Sequence, residues 1–271
     1  GKFLYTEINY TPAKTERQGT IRMELYEAFI SSVPAHLRVT MAVRGRYQAY
    51  VETEGGAGLA SLPLPGKKPY GDAAVCTDWL GKPLRDLAAQ LGSDDMALSA
   101  LGCAAVNAWF NRRESMEALG VTLYPPEIDE GDVFRTLEPE CAGKLVSTIG
   151  HFRGGEKLAG MRELRVFEKD PRPGDYPERE ENRLLPGSDV VVITGMALTN
   201  GTMPHILELC RDSQIVALSG PSVPVSPIWF DYGVTALFGT LCWDIPGCRK
   251  AMRYGGHKDT WKYMGKSVLR K

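Results

Sequence analysis

The sequence predicts an α/β protein: an N-terminal α+β unit followed by a Rossmann-like, doubly wound and mainly parallel sheet. Five short, nearly continuous apolar runs after about Lys144 point to strands covered on both faces: "KLVSTIG", "ELRVFEKD", "SDVVVITG", "QIVALSGPS" and "GVTALFGTLCWD". Helical segments are expected between them, at 155–161, 203–211 and 245–253, and strands alternating with helices build a parallel sheet. The first 137 residues lack that alternation.

Taken in order, "QGTIRMELYEAFIS" spaces Ile21, Leu25, Ala28 and Phe29 as one face of a helix that must stop before Pro34. "LRVTMAVRGRYQAYVET" reads as two strands with a turn at Gly45. The glycine- and proline-rich stretch "GGAGLASLPLPGKKPYGD" is expected to be loop. Two helices follow, "KPLRDLAAQL" and "DDMALSALGCAAVNAWFNRRE", the second capped by Ser93 or Asp94. Its stripe of Met96, Ala100, Ala104 and Ala108 suits close approach to a neighbour. "LEPECAGK" marks the boundary, dividing the chain into units 1–137 and 138–271.

Composition narrows the function. A formal net charge of -1 with no long block of like charge argues against a nucleic-acid or anionic-membrane surface. Apolar runs such as Val190–Ile193 fall far short of the roughly 20 residues a membrane helix needs. No secretory signal is read at the start, and a cytoplasmic location is expected. The 6 cysteines include no C-x-x-C pair and read as free thiols. With the histidines scattered at 36, 151, 205 and 257, no preformed metal site is expected. Nucleophile-elbow, zincin and Walker motifs are absent, and the residues point to no particular cofactor.

Ligands of an open α/β sheet bind beyond the carboxyl ends of its strands, so the residues that follow each strand are the site candidates. These are Gly150 and His151 in "IGHFRGG", Glu168, then Thr194, Gly195, Asn200 and Gly201 in "TGMALTNGT". Gly220 and Ser222 in "SGPS" and Asp244 in "CWD" complete the set. His151 and Glu168 are the proton-transfer candidates; the others would contact ligand. Gly150 and Glu168 are 18 apart, close to the glycine-to-acid interval of nucleotide folds, yet G-x-G-x-x-G is missing and a conventional NAD site is not expected. Thr202 and Asp244 also stand where helix N-caps belong. Thr199 is set aside as a ligand contact. Asn107, in the apolar "CAAVNAWF", is an amide that must find partners or a ligand.

The motifs "CAAVNAWFN", "IGHF", "FEKDPRPGDYP", "LPGSDVVVITGMALTNGT", "LSGPSVPVSP", "YGVTALFGT" and the glycine pair at 255–256 together resemble the putative heavy-metal-chelation family of bacteria and archaea. The resemblance covers most of the chain. It implies an enolase-N-terminal-like domain, then a Rossmann-like domain that partly resembles methyltransferases, with a pocket where the two meet. That pocket would draw Asn107 from the first domain, and Gly150, His151, Glu168, Thr194, Asn200, Ser222 and Asp244 from the second. The family's label implies metal homeostasis, and a role in processing flavin-, pterin- or siderophore-like molecules is implied as well.

Three functions follow. The first is an enzyme that condenses or hydrolyses a small chelator precursor. The second is an S-adenosylmethionine-dependent methyltransferase, with Glu168 on the ribose hydroxyls. The third is a non-enzymatic module that binds or senses a metal chelate. The expected partner is in each case a small-molecule ligand, and small-residue helices with the apolar "PLPG" and "PIWF" loops would permit a homodimer.

Overall fold

The structure, a computed structural model, describes residues 12–64, 68–152, 160–254 and 257–271. Residues 155–159 of the expected first crossover helix lie outside the described residues, as do Gly154 and the 255–256 pair; Gly160 and Met161 are in no helix.

The chain opens with α1 (Pro12–Ser32), then β1 (Met41–Arg44), β2 (Gln48–Thr53), β3 (Gly56–Ser61) and β4 (Ala74–Val75). These four strands form one antiparallel sheet in the order β3-β2-β1-β4. Helices α2 (Leu84–Ala88), α3 (Met96–Phe110) and α4 (Arg113–Ala118) follow, then β5 (Thr122–Tyr124) and α5 (Val133–Cys141). The larger sheet begins with β6 (Leu145–Ile149), β7 (Glu163–Glu168) and β8 (Tyr176–Pro177). Next come α6 (Glu181–Leu184), β9 (Val190–Thr194), α7 (Met196–Thr199), α8 (Met203–Leu209) and β10 (Ile215–Ser219). The chain ends with β11 (Ala236–Cys242), α9 (Ile245–Tyr254), α10 (His257–Thr260) and β12 (Met264–Arg270).

The larger sheet runs β5-β12-β11-β10-β9-β6-β7-β8. Its strands β8, β7, β6, β9, β10 and β11 are mutually parallel, in the 3-2-1-4-5-6 order of a doubly wound fold. All five apolar runs are strands of this sheet. Alternation along β9 shows the two-sided burial. Val190 and Val192 enter a cluster with Phe134 and Leu137 of α5, while Val191 and Ile193 face the other way, into the core shared with α1 and α3. Strand β12 and the edge strand β5 pair antiparallel and were not expected, because the run Met264–Arg270 lacks a continuous apolar signal. Strand β5 precedes position 137 in the chain yet extends the larger sheet. Leu137–Cys141, expected as boundary, is the last part of α5.

The glycine-rich segment after Thr53 is not loop: Gly56–Ser61 is β3, buried along nearly its whole length. Its glycines serve helix–sheet contact. A Cβ on Gly58 would lie 2.1 Å from the Ala104 carbonyl oxygen and 2.2 Å from the Ala108 N, so α3 lies directly on the strand backbone. The small-residue stripe on α3 is the other half of that contact. The cap also differs: Asp95, not Ser93 or Asp94, accepts from Ala97 N (2.9 Å) and Leu98 N (3.2 Å), and starts α3.

Candidate functional site

Strands β6 and β9 are neighbours whose connections leave in opposite directions, β6 to β7 and β9 to β10. A crevice opens at such a switch point, beyond the carboxyl ends of the strands. Register sets Ile149 beside Phe167 and Ile193, and Thr194 beside Ser219. Gly150, Glu168, Thr194 and Gly220 therefore stand along one edge. At φ +95, Gly150 turns the chain sharply with its N–H still on the Phe167 carbonyl (2.9 Å), and its Cα faces the Thr194 side chain.

The turn presents His151 in a fixed pose. Its backbone N–H donates to Glu168 Oε1 (2.9 Å), and its ring Nε2 lies 2.7 Å from Asp175 Oδ2. The Arg172 N–H also donates to Asp175 Oδ2, at 2.7 Å. Asp175 is nearly buried while the imidazole is partly exposed, with side-chain exposures of 8% and 30%. Burial works to raise the Asp175 carboxyl, but the Arg172 N–H and the His151 hydrogen bond outweigh it and hold the acid below its usual range. An ionised Asp175 fixes the Nε2–H tautomer, leaving Nδ1 as the nitrogen that can accept a proton. Asp175 was not singled out from sequence. It lies within "FEKDPRPGDYP", where no spacing marks it, and only the pairing of β8 with β7 returns it to His151.

Other predicted residues fall into separate groups. Asn107 and Ser222 meet at the loop after β10. Asn107 Nδ2 donates to the Leu59 and Pro221 carbonyls (2.8 and 3.0 Å), and Ser222 Oγ accepts from Ser61 N at 2.8 Å. Asn107 Oδ1 is buried and has no partner. One helical turn on, Asn111 donates to the Val223 and Thr240 carbonyls and accepts from Val225 N. The i, i+4 repeat of asparagine on an apolar helix is the signal that could have found it. Gly195 is pressed against the same loop, where a Cβ would sit 2.8 Å from the Ser222 carbonyl carbon. Ser222 and Asn107 thus stitch β10's loop to β3 and α3.

Asn200 Oδ1 accepts from Thr202 N (3.1 Å) and Thr202 Oγ1 (2.7 Å), so Thr202 stands at the N-cap of α8 without capping it through its side chain. Gly201, at φ +81, lies against the Arg22 guanidinium. Thr199 is fully buried, its hydroxyl on the Met196 carbonyl. Asp244 is exposed and accepts from Gly247 N (3.1 Å) at the start of α9. Phe238 is level with Ser219, so Asp244 stands six residues, ~20 Å of extended chain, beyond the row that holds Gly150 and Glu168. Asp244 is not brought to that group.

Beside the β7–β8 end, Glu181 is buried with 6% exposure. Desolvation and then the Glu178 charge push its carboxyl up to about 7. The unfolded chain would ionise it near 4.5, so the folded state binds the extra proton between those values. Stability contributed by this group is therefore full below about pH 4.5 and falls as pH rises toward 7, levelling above it. Glu181→Gln is expected to flatten that decline and raise Tm at pH 8 by roughly 3–6 °C, an effect of about 1–2 kcal/mol. Thermal melts of both proteins from pH 5 to 8 check it.

Fold and site together define a mixed α/β protein with a histidine–carboxylate pair at the switch point of its larger sheet. Residues 132–271 match the DUF364 family and residues 26–110 match DUF4213, both described as "putative heavy-metal chelation"; the chain belongs to this family. It is 26% identical over 179 residues to the uncharacterised protein MJ0500 of Methanocaldococcus jannaschii, spanning 65% of that relative's length and 65% of its own. A crystal structure of a DUF364 protein of unknown function from Desulfitobacterium hafniense superposes with TM-score 0.79 at 26% identity, covering 93% of this chain and 99% of that one. A second, from Pyrococcus horikoshii, gives TM-score 0.72 at 20% identity over 94% and 99%, a likeness of fold alone. No helix among the described residues is long and apolar enough to cross a membrane.

Proposed function

We propose that the chain is an enzyme that condenses or hydrolyses a small polar molecule of the flavin-, pterin- or siderophore-like chelator class. Its site is the crevice beyond β6, β7, β9 and β10, on the side where units 1–137 and 138–271 meet. The observation that carries this reading is the 2.7 Å contact of His151 Nε2 with the nearly buried Asp175. A carboxylate on one ring nitrogen orients the imidazole and supports its charge when the other takes a proton, the arrangement general-base chemistry needs. Glu168 holds the His151 backbone through Oε1. Thr194 and the open face of Gly220, where a Cβ would meet nothing within 4 Å, leave room for a ligand alongside.

Direct chelation by side chains does not fit the described residues: no group of three or more His, Cys, Asp or Glu among them is set to hold a metal ion. A polydentate organic molecule would supply donors that the protein lacks, so the family's label agrees better with work on a chelator than with a protein cage.

Mass spectrometry of molecules released from natively purified protein tests the ligand class. With the identified compound as substrate, His151→Ala is expected to lower kcat about 100-fold or more, and Asp175→Asn about 10- to 100-fold with little change in KM. Wild-type turnover in both variants would sink the proposal. Binding without any product would favour a sensing role.

A further inference from the structure

The six cysteines play no part in the site above, yet two of them are placed together by the end of β11. Cys242 is the last residue of that strand and pairs with Met264 of β12. Cys248 lies in the first turn of α9, its N–H on the Asp244 carbonyl at 2.8 Å. The intervening turn is pinned at one point: the Tyr263 carbonyl accepts from Trp243 N (2.9 Å), Asp244 N (3.2 Å) and the Cys248 thiol (3.3 Å). Tyr263 is the residue next to Met264, the strand partner of Cys242, so the same short segment holds both cysteines. Both sit in one apolar cluster with Val43, Tyr50, Met252 and Met264, with Cys248 buried and Cys242 half-buried. The other four cysteines lie apart from this cluster: Cys103 donates to the Ser222 carbonyl, Cys76 contacts the Ala74 carbonyl, and Cys141 and Cys210 are buried near the ends of α5 and α8.

We propose that Cys242 and Cys248 are a redox-active dithiol that oxidises to an intramolecular disulfide, covalently tying the end of β11 to α9. Two cysteines packed in one apolar cluster, at the two ends of a turn held by three bonds to one carbonyl, are placed for the close approach a disulfide demands. The oxidant is a small-molecule disulfide. The thiolate of half-buried Cys242 attacks it, forming a mixed disulfide and expelling one thiolate. The Cys248 thiolate then attacks the Cys242 sulfur and expels the second. The two protons lost by the protein end on the two thiols released, and two electrons pass to the oxidant. The neighbouring Cys248 thiol, then burial, holds the Cys242 thiol proton on more tightly than usual. Exchange therefore runs through a small thiolate fraction and speeds up as pH rises.

No lysine or arginine lies between Arg211 and Arg249, so trypsin leaves both cysteines in one peptide, 212–249. Native full-length protein treated with oxidised glutathione at pH 8, then alkylated and digested, should yield that peptide two hydrogens lighter and unalkylated. Dithiothreitol should reverse the change. Oxidised protein should melt a few °C higher, because the link restricts the unfolded chain. Cys248→Ser should instead stall as a glutathione adduct on Cys242. Peptide 212–249 from treated wild type carrying two alkylated cysteines, or a lasting glutathione adduct, would overturn the proposal.

Discussion

Gly58→Ala is expected to lower Tm by about 10 °C, a loss of roughly 3 kcal/mol or more. The added methyl would lie 2.1 Å from the Ala104 oxygen, 2.2 Å from the Ala108 nitrogen and 2.6 Å from the Asn107 carbonyl carbon. All three are backbone atoms in mid-helix, and none can rotate away. Relief requires β3 and α3 to separate, and the surfaces they bury are the main contact between the small sheet and the rest of the core. Gly71→Ala is the matched control, since a Cβ there meets nothing within 4 Å and φ is not in the left-handed region; its Tm should stay within about 2 °C of wild type. Thermal denaturation of both variants decides it. A Gly58→Ala protein melting with wild type would mean that the helix does not rest on the strand as described. Separation should also move Asn107, whose two hydrogen bonds bridge β3 to the loop after β10. Any ligand affinity that depends on that junction should weaken with stability.

Arg249→Ala is expected to cost roughly 3 kcal/mol, and the loss should be largely recovered by adding Glu52→Gln. Glu52 is buried on β2 with 5% exposure, and it accepts from Tyr50 Oη at 2.5 Å on one oxygen. Arg249 of α9 closes both oxygens at 2.5 and 2.6 Å, a bidentate pair joining the small sheet to the last helix. Removing the guanidinium leaves a buried carboxylate with one neutral donor, and an uncompensated charge costs more than the pair contributes. The arginine side chain is 42% exposed, so water enters part of the gap and the effect belongs at the lower end of that class. Urea unfolding of the single and double variants provides the check. If the double variant is no more stable than Arg249→Ala, the cost is lost packing of the arginine stem instead of a stranded charge.

Much of the architecture was legible because strand burial leaves a direct trace in sequence. A strand covered on both faces must be apolar at consecutive positions, and Val190–Ile193 could have been little else. The placement of His151 and Glu168 at strand ends was legible on the same logic, since position at a strand's carboxyl end can be counted along the chain. The failures share a cause. Gly56 and Gly58 are read locally as breakers, and only the helix arriving from some 45 residues downstream makes them requirements. Met264–Arg270 is held as a strand by hydrogen bonds to β11 on one side and β5 on the other, which its own composition does not announce.

By itself, then, the sequence determined which segments are buried strands, which helix is made of small residues, and that the hydroxyl, amide and histidine residues gather at strand ends. These follow from local period and residue chemistry. Tertiary structure alone decided the pairings: Asp175 with His151, Glu52 with Arg249, and Asp244 apart from Glu168. Each is a contact, or its absence, set by strand order and turn geometry. A side chain's neighbours across a sheet are fixed by register and topology, which no spacing along the chain encodes.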